Sequence, residues 1–216
     1  MIKIFAIVPA KKFEKSKTRL SALLDAKERI QLSGLMLEET LSVLASAKSL
    51  RQIVVVSSDW RAGELAASHG AKFLHEEKES GVNSAVELAD RYCTDQGADA
   101  TVVIPQDLPL LNAFDINAVC CLADKEKGGC IVICPSLRYD GTNLLLRKPP
   151  LAIKTYYDSD SYESHMKAAA KLDISTKLYF SRKLMTDIDT PEDAIQLAKE
   201  AGVGKTIDFI RSKLKA

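Results

Sequence analysis

Short apolar runs alternate along this chain with longer amphipathic patterns, and that alternation narrows the possible architectures more than any other feature. Parallel neighbours in a sheet need long crossovers, so strands separated by helices predict a mostly parallel central sheet with helices on both faces, an α/β fold. The first run, Lys3 to Pro9, is apolar after its lysine, as suits a strand buried on both faces. A long helical pattern follows from about Lys27 to Lys48, with Leu32, Leu35, Met36, Glu39, Val43 and Ala47 as its expected buried stripe. Further strands are expected at 52–56, 72–74, 101–104, 130–134, 143–147 and 177–180. Helices are expected just before Gly70 and at 82–96, 114–123, 161–172, 191–201 and 205–214. The helix from Pro191 has Thr190 as N-cap and Asp193 at the capping-box position. One domain over residues 1–216 is the simplest count, because no linker, repeat or low-complexity segment divides the chain.

The 30 basic and 29 acidic residues nearly cancel, which argues against a nucleic-acid or membrane partner held by bulk charge. No run approaches the roughly 20 apolar residues of a membrane span, and the start lacks the features of a secretion signal. A cytoplasmic protein is expected. The five cysteines form no C-x-x-C pair and the three histidines have no zinc-ligand spacing. The cysteines read as small buried hydrophobes. The apolar tail of Ile207, Phe209, Ile210 and Leu214 suits a homodimer interface as well as a core.

Open α/β sheets collect ligands just beyond the carboxyl ends of their strands. The run Thr101–Pro105 ends in Gln106-Asp107-Leu108-Pro109, which puts a carboxylate where it can hold a metal ion beside a phosphate. Asp107 would equally serve to open a turn or cap a helix. After the first strand, residues 11–19 pack five basic side chains (Lys11, Lys12, Lys15, Lys17 and Arg19) and one acid into nine positions. Such a cluster suits a polyphosphate, although a charge run is more often a solvated loop. Asp187 and Asp189 point to one side of an extended segment and repel each other unless a cation intervenes. They suggest the second half of a metal site with Asp107. Gly81 lets a backbone approach a ligand closely, or simply opens a helix.

Two lookalikes fail. Gly204-Lys205-Thr206 resembles the end of a phosphate-binding loop, but Lys199 stands where the first glycine belongs and a helix precedes it. Asp158-Ser159-Asp160 hints at a calcium loop, yet Glu163 replaces the required glycine and Ala169 the closing glutamate.

Six segments recur here in a telling order: Pro9-Ala10-Lys11, Ser16-Lys17-Thr18-Arg19-Leu20, Gly81-Val82-Asn83, Pro105-Gln106-Asp107-Leu108-Pro109, Asp140-Gly141-Thr142-Asn143 and Asp187-Ile188-Asp189-Thr190-Pro191-Glu192-Asp193. Together they resemble the 2-phospho-L-lactate guanylyltransferases of deazaflavin coenzyme F-420 biosynthesis. The resemblance implies a nucleotide-diphospho-sugar-transferase-like (Rossmann-like) fold. It also implies the reaction of GTP with 2-phospholactate to give lactyl-2-diphospho-5′-guanosine and pyrophosphate. By the same resemblance, Asp107, Asp187 and Asp189 would hold Mg²⁺. Pro9, Ala10, Lys11, Lys17, Arg19, Gly81 and Asn83 would surround the nucleotide, with Lys17 and Asp107 catalytic. Thr142 and Ser161 would contact the acceptor. Many relatives carry glycines in the loop ahead of that serine, where this chain has Asp158 and Asp160, and some use phosphoenolpyruvate or 3-phosphoglycerate.

Two other readings stay open. A glycosyltransferase or a sugar nucleotidyltransferase shares the fold, but the glycine-rich loop usual after the first strand of sugar nucleotidyltransferases is absent here. A nucleotide-binding regulator would bind GTP without releasing pyrophosphate.

Overall fold

β1 (Ile4–Pro9) is apolar throughout, and its residues alternate between two cores: Ala6 and Val8 on one face, Phe5 and Ile7 on the other. The computed structural model, which describes residues 2–200, 202 and 204–214, places this strand near the middle of a seven-stranded sheet. The other strands are β2 (Leu50–Ser57), β3 (Lys72–His75), β4 (Ala100–Val103), β5 (Cys130–Pro135), β6 (Thr142–Lys148) and β7 (Ser175–Leu178). Their spatial order is β3-β2-β1-β4-β6-β5-β7. Every pairing is parallel except the two made by β6, which runs against β4 and β5. The mostly parallel sheet read from the sequence is therefore present, with one reversed strand inside it.

That reversal matters for function. A parallel strand delivers its last residues to the ligand edge, whereas β6 delivers its first, Thr142 and Asn143.

Helices cover both faces, as expected. α1 (Ala26–Ser46), α2 (Trp60–Ser68) and α4 (Ala113–Lys125) pack on one face through residues such as Leu37, Leu41, Ala62 and Ile116. α3 (Val82–Asp95) and α5 (Ser161–Lys171) cover the other with Val86, Ala89 and Ala169. Beyond the short α6 (Arg182–Met185), α7 (Pro191–Lys199) and α8 (Lys205–Leu214) pack with Leu20, Leu32, Met36 and Ile188 into a separate core. Asp25 and Glu28 form a reciprocal capping box that starts α1.

Three expectations need correction. The buried stripe of α1 consists of Leu32, Ser33, Met36, Leu37, Thr40, Leu41 and Leu44, while Leu35, Glu39 and Val43 are only half-buried. The helix serves two cores at once, so its apolar face is wider than one stripe. Glu39 sits on the flank, where its carboxylate accepts the Lys205 and Thr206 backbone N–H groups at 2.6 and 3.2 Å and caps α8. The last strand spans Ser175–Leu178 and not 177–180. It is an edge strand with little apolar content, so the pattern slid towards Tyr179 and Phe180. Among the cysteines, Cys121 is exposed, and the other four are buried as read.

The helix expected to reach Ala201 ends at Lys199, and Ala201 lies outside the described residues. Ile207 and Ile210 of the tail are core residues, at 1% and 2% exposed. Among the described residues, no helix is long and apolar enough to cross a membrane.

Candidate active site

The basic loop after β1 is an ordered device. Phe13, Ser16 and Leu20 are buried and fold it into two short 3-10 turns. Asp59, at the start of α2, accepts the Phe13 backbone N–H at 3.0 Å, and Arg61 lies 5.0 Å over the Phe13 ring. These anchors leave Lys11, Lys15, Lys17, Thr18 and Arg19 lining one side of a cavity of about 510 Å³. Its other walls are Pro9, Val82, Val103, Pro105, Gln106 and Asp107, then Gly141, Thr142, Asn143, Tyr157, Ser161, Asp187 and Asp189. Residues from six separate segments thus meet at one edge of the sheet.

Ala10, Gly81 and Asn83 stand apart from that lining. Ala10 is buried and its N–H is spent on Val56 O at 2.9 Å. Gly81 adopts φ +96° at the start of α3 and has open space where a Cβ would sit. Asn83 is a clip: its carbonyl accepts the Tyr157 N–H and its amide donates to Asp158, both at 2.9 Å.

The centre of the site is an ammonium among oxygens. Lys17 Nζ reaches Asp107 Oδ2 at 2.7 Å, Asp189 Oδ1 at 2.9 Å and the Ile188 carbonyl at 2.6 Å, which uses all three of its protons. Its backbone is left-handed, φ 54°, a conformation that aims the side chain inward at some cost in strain. Burial opposes the charge, but Asp107 and Asp189 outweigh it and raise Lys17 above the ordinary lysine value. Burial likewise opposes ionisation of Asp189, yet Lys17, Arg19 and Arg138 hold it below the usual carboxylate range.

Asp187 is pushed the other way. Burial and the charges of Asp107 and Asp189 move it up to about 6, only partly offset by Arg138 at 3.9 Å. Asp187 is therefore left short of positive charge in a cavity that it shares with Asp107 and Asp189.

The acidic segments are fixed by backbone contacts. Ile188 N–H donates to the Asp107 carbonyl at 3.3 Å and joins the two loops. The Thr190–Asp193 capping box is present, and Asp193 Oδ2 also accepts the Asp189 N–H at 3.0 Å. Among the described residues, no three acidic, histidine or cysteine side chains are already gathered around one point as a metal cage. The Lys17 ammonium holds Asp107 and Asp189 together. The unneutralised charge around Asp187 and the all-oxygen donor set nevertheless suit a hard divalent cation.

The sequence reading passed over three residues. Arg138 bridges Asp187 and Asp193 from the turn after β5. Gln106 lines the cavity, and its side-chain oxygen is buried with no hydrogen-bond partner among the described residues. His165, one of the three histidines without zinc-ligand spacing, bonds Thr142 Oγ1 at 3.0 Å from within α5. No spacing rule links positions 142 and 165, so only the fold reveals that pair.

His165 also carries a pH signature. Burial, helped by Arg147, pushes it down from 6.5 to about 4. The unfolded histidine protonates near 6.5 and the folded one near 4, so its contribution to stability is complete above 6.5 and fades as pH falls towards 4. The stability gap between wild type and His165→Gln should therefore shrink between pH 7 and pH 4.5 in urea unfolding. An unchanged gap would refute the assignment.

A likeness to solved structures confirms the fold. A structure from Desulfovibrio desulfuricans assigned to the nucleotide-diphospho-sugar transferases superposes with a TM-score of 0.78 at 15% identity, over 100% of this chain and 96% of that one. A cytidylyltransferase from Leptospira borgpetersenii gives 0.65 at 16% identity, over 100% and 95%. A guanylyl transferase family model that spans residues 4–214 makes the protein a nucleotidyltransferase, with its cleft of cations and carboxylates at the ligand edge of such a sheet.

The family is narrower still. The model described as guanylyl transferase CofC-like matches residues 4–214, and the chain belongs to that family. The phosphoenolpyruvate guanylyltransferase of Rubrobacter xylanophilus is 35% identical over 93% of this chain and 96% of its own length. The 2-phospho-L-lactate guanylyltransferase of Methanobrevibacter smithii is 32% identical over 88% and 81%. The 3-phospho-D-glycerate guanylyltransferase of Colwellia psychrerythraea is 31% identical over 89% and 90%.

Proposed function

We propose that this chain works as one guanylyltransferase domain that moves GMP from GTP onto the phosphate of a three-carbon phospho-acid. The observation that supports this most is the meeting of Lys17 with Asp107 and Asp189 in a cavity also lined by Thr142 and Ser161. An oxygen of the acceptor's phosphate attacks the α-phosphorus of GTP. The bond to the β-phosphate oxygen breaks, and pyrophosphate leaves. No protein nucleophile is required, so positioning and charge carry the rate.

Asp107, Asp187 and Asp189 would hold Mg²⁺, which when bound would offset the repulsion between two anionic reactants. Lys11 and Arg19, at the cavity wall, bind the outer phosphates. Lys17 stabilises the departing pyrophosphate, and to do so it must release one of its present oxygen partners. Replacing Lys17 by methionine should lower kcat by roughly 10²–10³-fold, the scale of one preorganised charge. Steady-state rates with saturating GTP check this.

The sequence resemblance points to 2-phospho-L-lactate as acceptor. Phosphoenolpyruvate is a second reading, favoured by the higher identity of a relative named for it, 35% against 32%. Both carry phosphate on the carbon next to the carboxylate. Pyrophosphate release should be measured with GTP, Mg²⁺ and each of 2-phospholactate, phosphoenolpyruvate and 3-phosphoglycerate. Silence with all three refutes the proposal. Preference for a sugar phosphate would move the chain to the sugar nucleotidyltransferases.

A further inference from the structure

We infer that His165 is a positioning residue that commits the Thr142 hydroxyl to donate a hydrogen bond to an anionic oxygen of the acceptor. This rests on the reading above, that the acceptor is a phospho-acid bound near Thr142 and Ser161. The two ring nitrogens of His165 have unlike partners. The Tyr156 backbone N–H points at Nε2 from 2.9 Å, and a backbone N–H can only donate. Nε2 therefore carries no proton. In the neutral ring the proton lies on Nδ1, which faces Thr142 Oγ1 at 3.0 Å and donates to it. One lone pair of the threonine oxygen is thereby used, and its own O–H has no acceptor among the hydrogen bonds of the described residues. Thr142 lines the cavity.

The arrangement is held firmly. His165 is 0% exposed, so water does not compete for either nitrogen. The next peptide, between Tyr156 and Tyr157, is held to α3 by the Asn83 clip. Thr142 is the first residue of β6, in register with Pro135 of β5. A hydroxyl locked in this way suits a carboxylate or phosphate oxygen and offers an ammonium or a hydroxyl proton a poorer welcome. His165 thus acts on the acceptor through Thr142 without touching it.

The test has two arms. Long-range ¹H–¹⁵N spectra of the wild-type protein should show a protonated Nδ1 and a bare Nε2 on His165 between pH 5.5 and 8. A protonated Nε2 or a tautomer mixture overturns the inference. In kinetics, His165→Met should raise the acceptor KM about tenfold or more, the scale of one hydrogen bond to a charged group, and leave the GTP KM within about twofold. His165→Gln, whose amide can accept from Tyr156 and donate to Thr142, should recover most of that loss. An unchanged acceptor KM in His165→Met, or equal rises for both substrates, also overturns it. A wild-type enzyme inactive with every phospho-acid would instead refute the functional reading, and the tautomer spectrum would still decide what His165 does. That spectrum needs no variant, so it holds even if His165→Met fails to fold.

Discussion

Asp107→Asn should give a folded protein whose pyrophosphate release with GTP and its best acceptor falls by at least about 10²-fold, the scale of losing one preorganised charged group. The fold should survive because asparagine keeps the side chain's shape and one oxygen. Lys17 would also retain its contacts to Asp189 and the Ile188 carbonyl. The bond from Ile188 N–H to the residue-107 carbonyl is backbone and unaffected. What disappears is a fixed negative charge at the mouth of β4, part of both the Lys17 cage and the oxygen set suited to a divalent cation. A second consequence is independent of turnover. Asp107 is one of the charges that raise Asp187, so in the variant Asp187 should titrate lower than about 6, readable by carboxyl NMR. Thermal melts within a few degrees of wild type together with full activity would remove Asp107 from the reaction.

Two parts of this site are legible in the sequence because they lie on a strand exit. Asp107 follows β4, the lysine-rich loop follows β1, and both were placed at the ligand edge because open α/β sheets put ligands there. The Asp187–Asp189 pair was legible because an extended segment sends alternate side chains to one side. Thr142 and Ser161 came only from family resemblance, since neither residue is chemically conspicuous. The fold supplies the reason for Thr142: it opens the one antiparallel strand, and no local pattern announces a reversal. Lys17 could be placed in the loop but not between two carboxylates, because a contact across 90 and 172 positions leaves no periodic trace. The α1 stripe misled for a similar cause. A helix that touches two cores has no single apolar face to read.

The largest effect on stability should come from a pair with no local sequence signature. Arg147 of β6 and Asp90 of α3 are 0% and 1% exposed. They meet through two bonds, Nη2 to Oδ1 at 2.6 Å and Nη1 to Oδ2 at 2.9 Å, with Thr101 of β4 sharing both partners. Such a pair gains little over a well-packed apolar substitute, but breaking it strands a buried charge. Asp90→Ala should therefore cost about 3–5 kcal/mol in urea unfolding, and for a chain of this size that lowers Tm by roughly 10 °C. The double variant Asp90→Leu with Arg147→Met should be more stable than Asp90→Ala, because neither charge remains to be desolvated. If the double variant instead loses the sum of the single losses, the two groups are not coupled and the geometry has been misread. The pair's location gives a reason for its presence beyond stability. It ties β6 to α3 and β4, and a slip of one residue in that strand would turn Thr142 from one face of the sheet to the other. The double variant should accordingly keep its fold and lose acceptor affinity if register is what the ion pair secures, and the acceptor KM measured beside the urea midpoint separates the two roles.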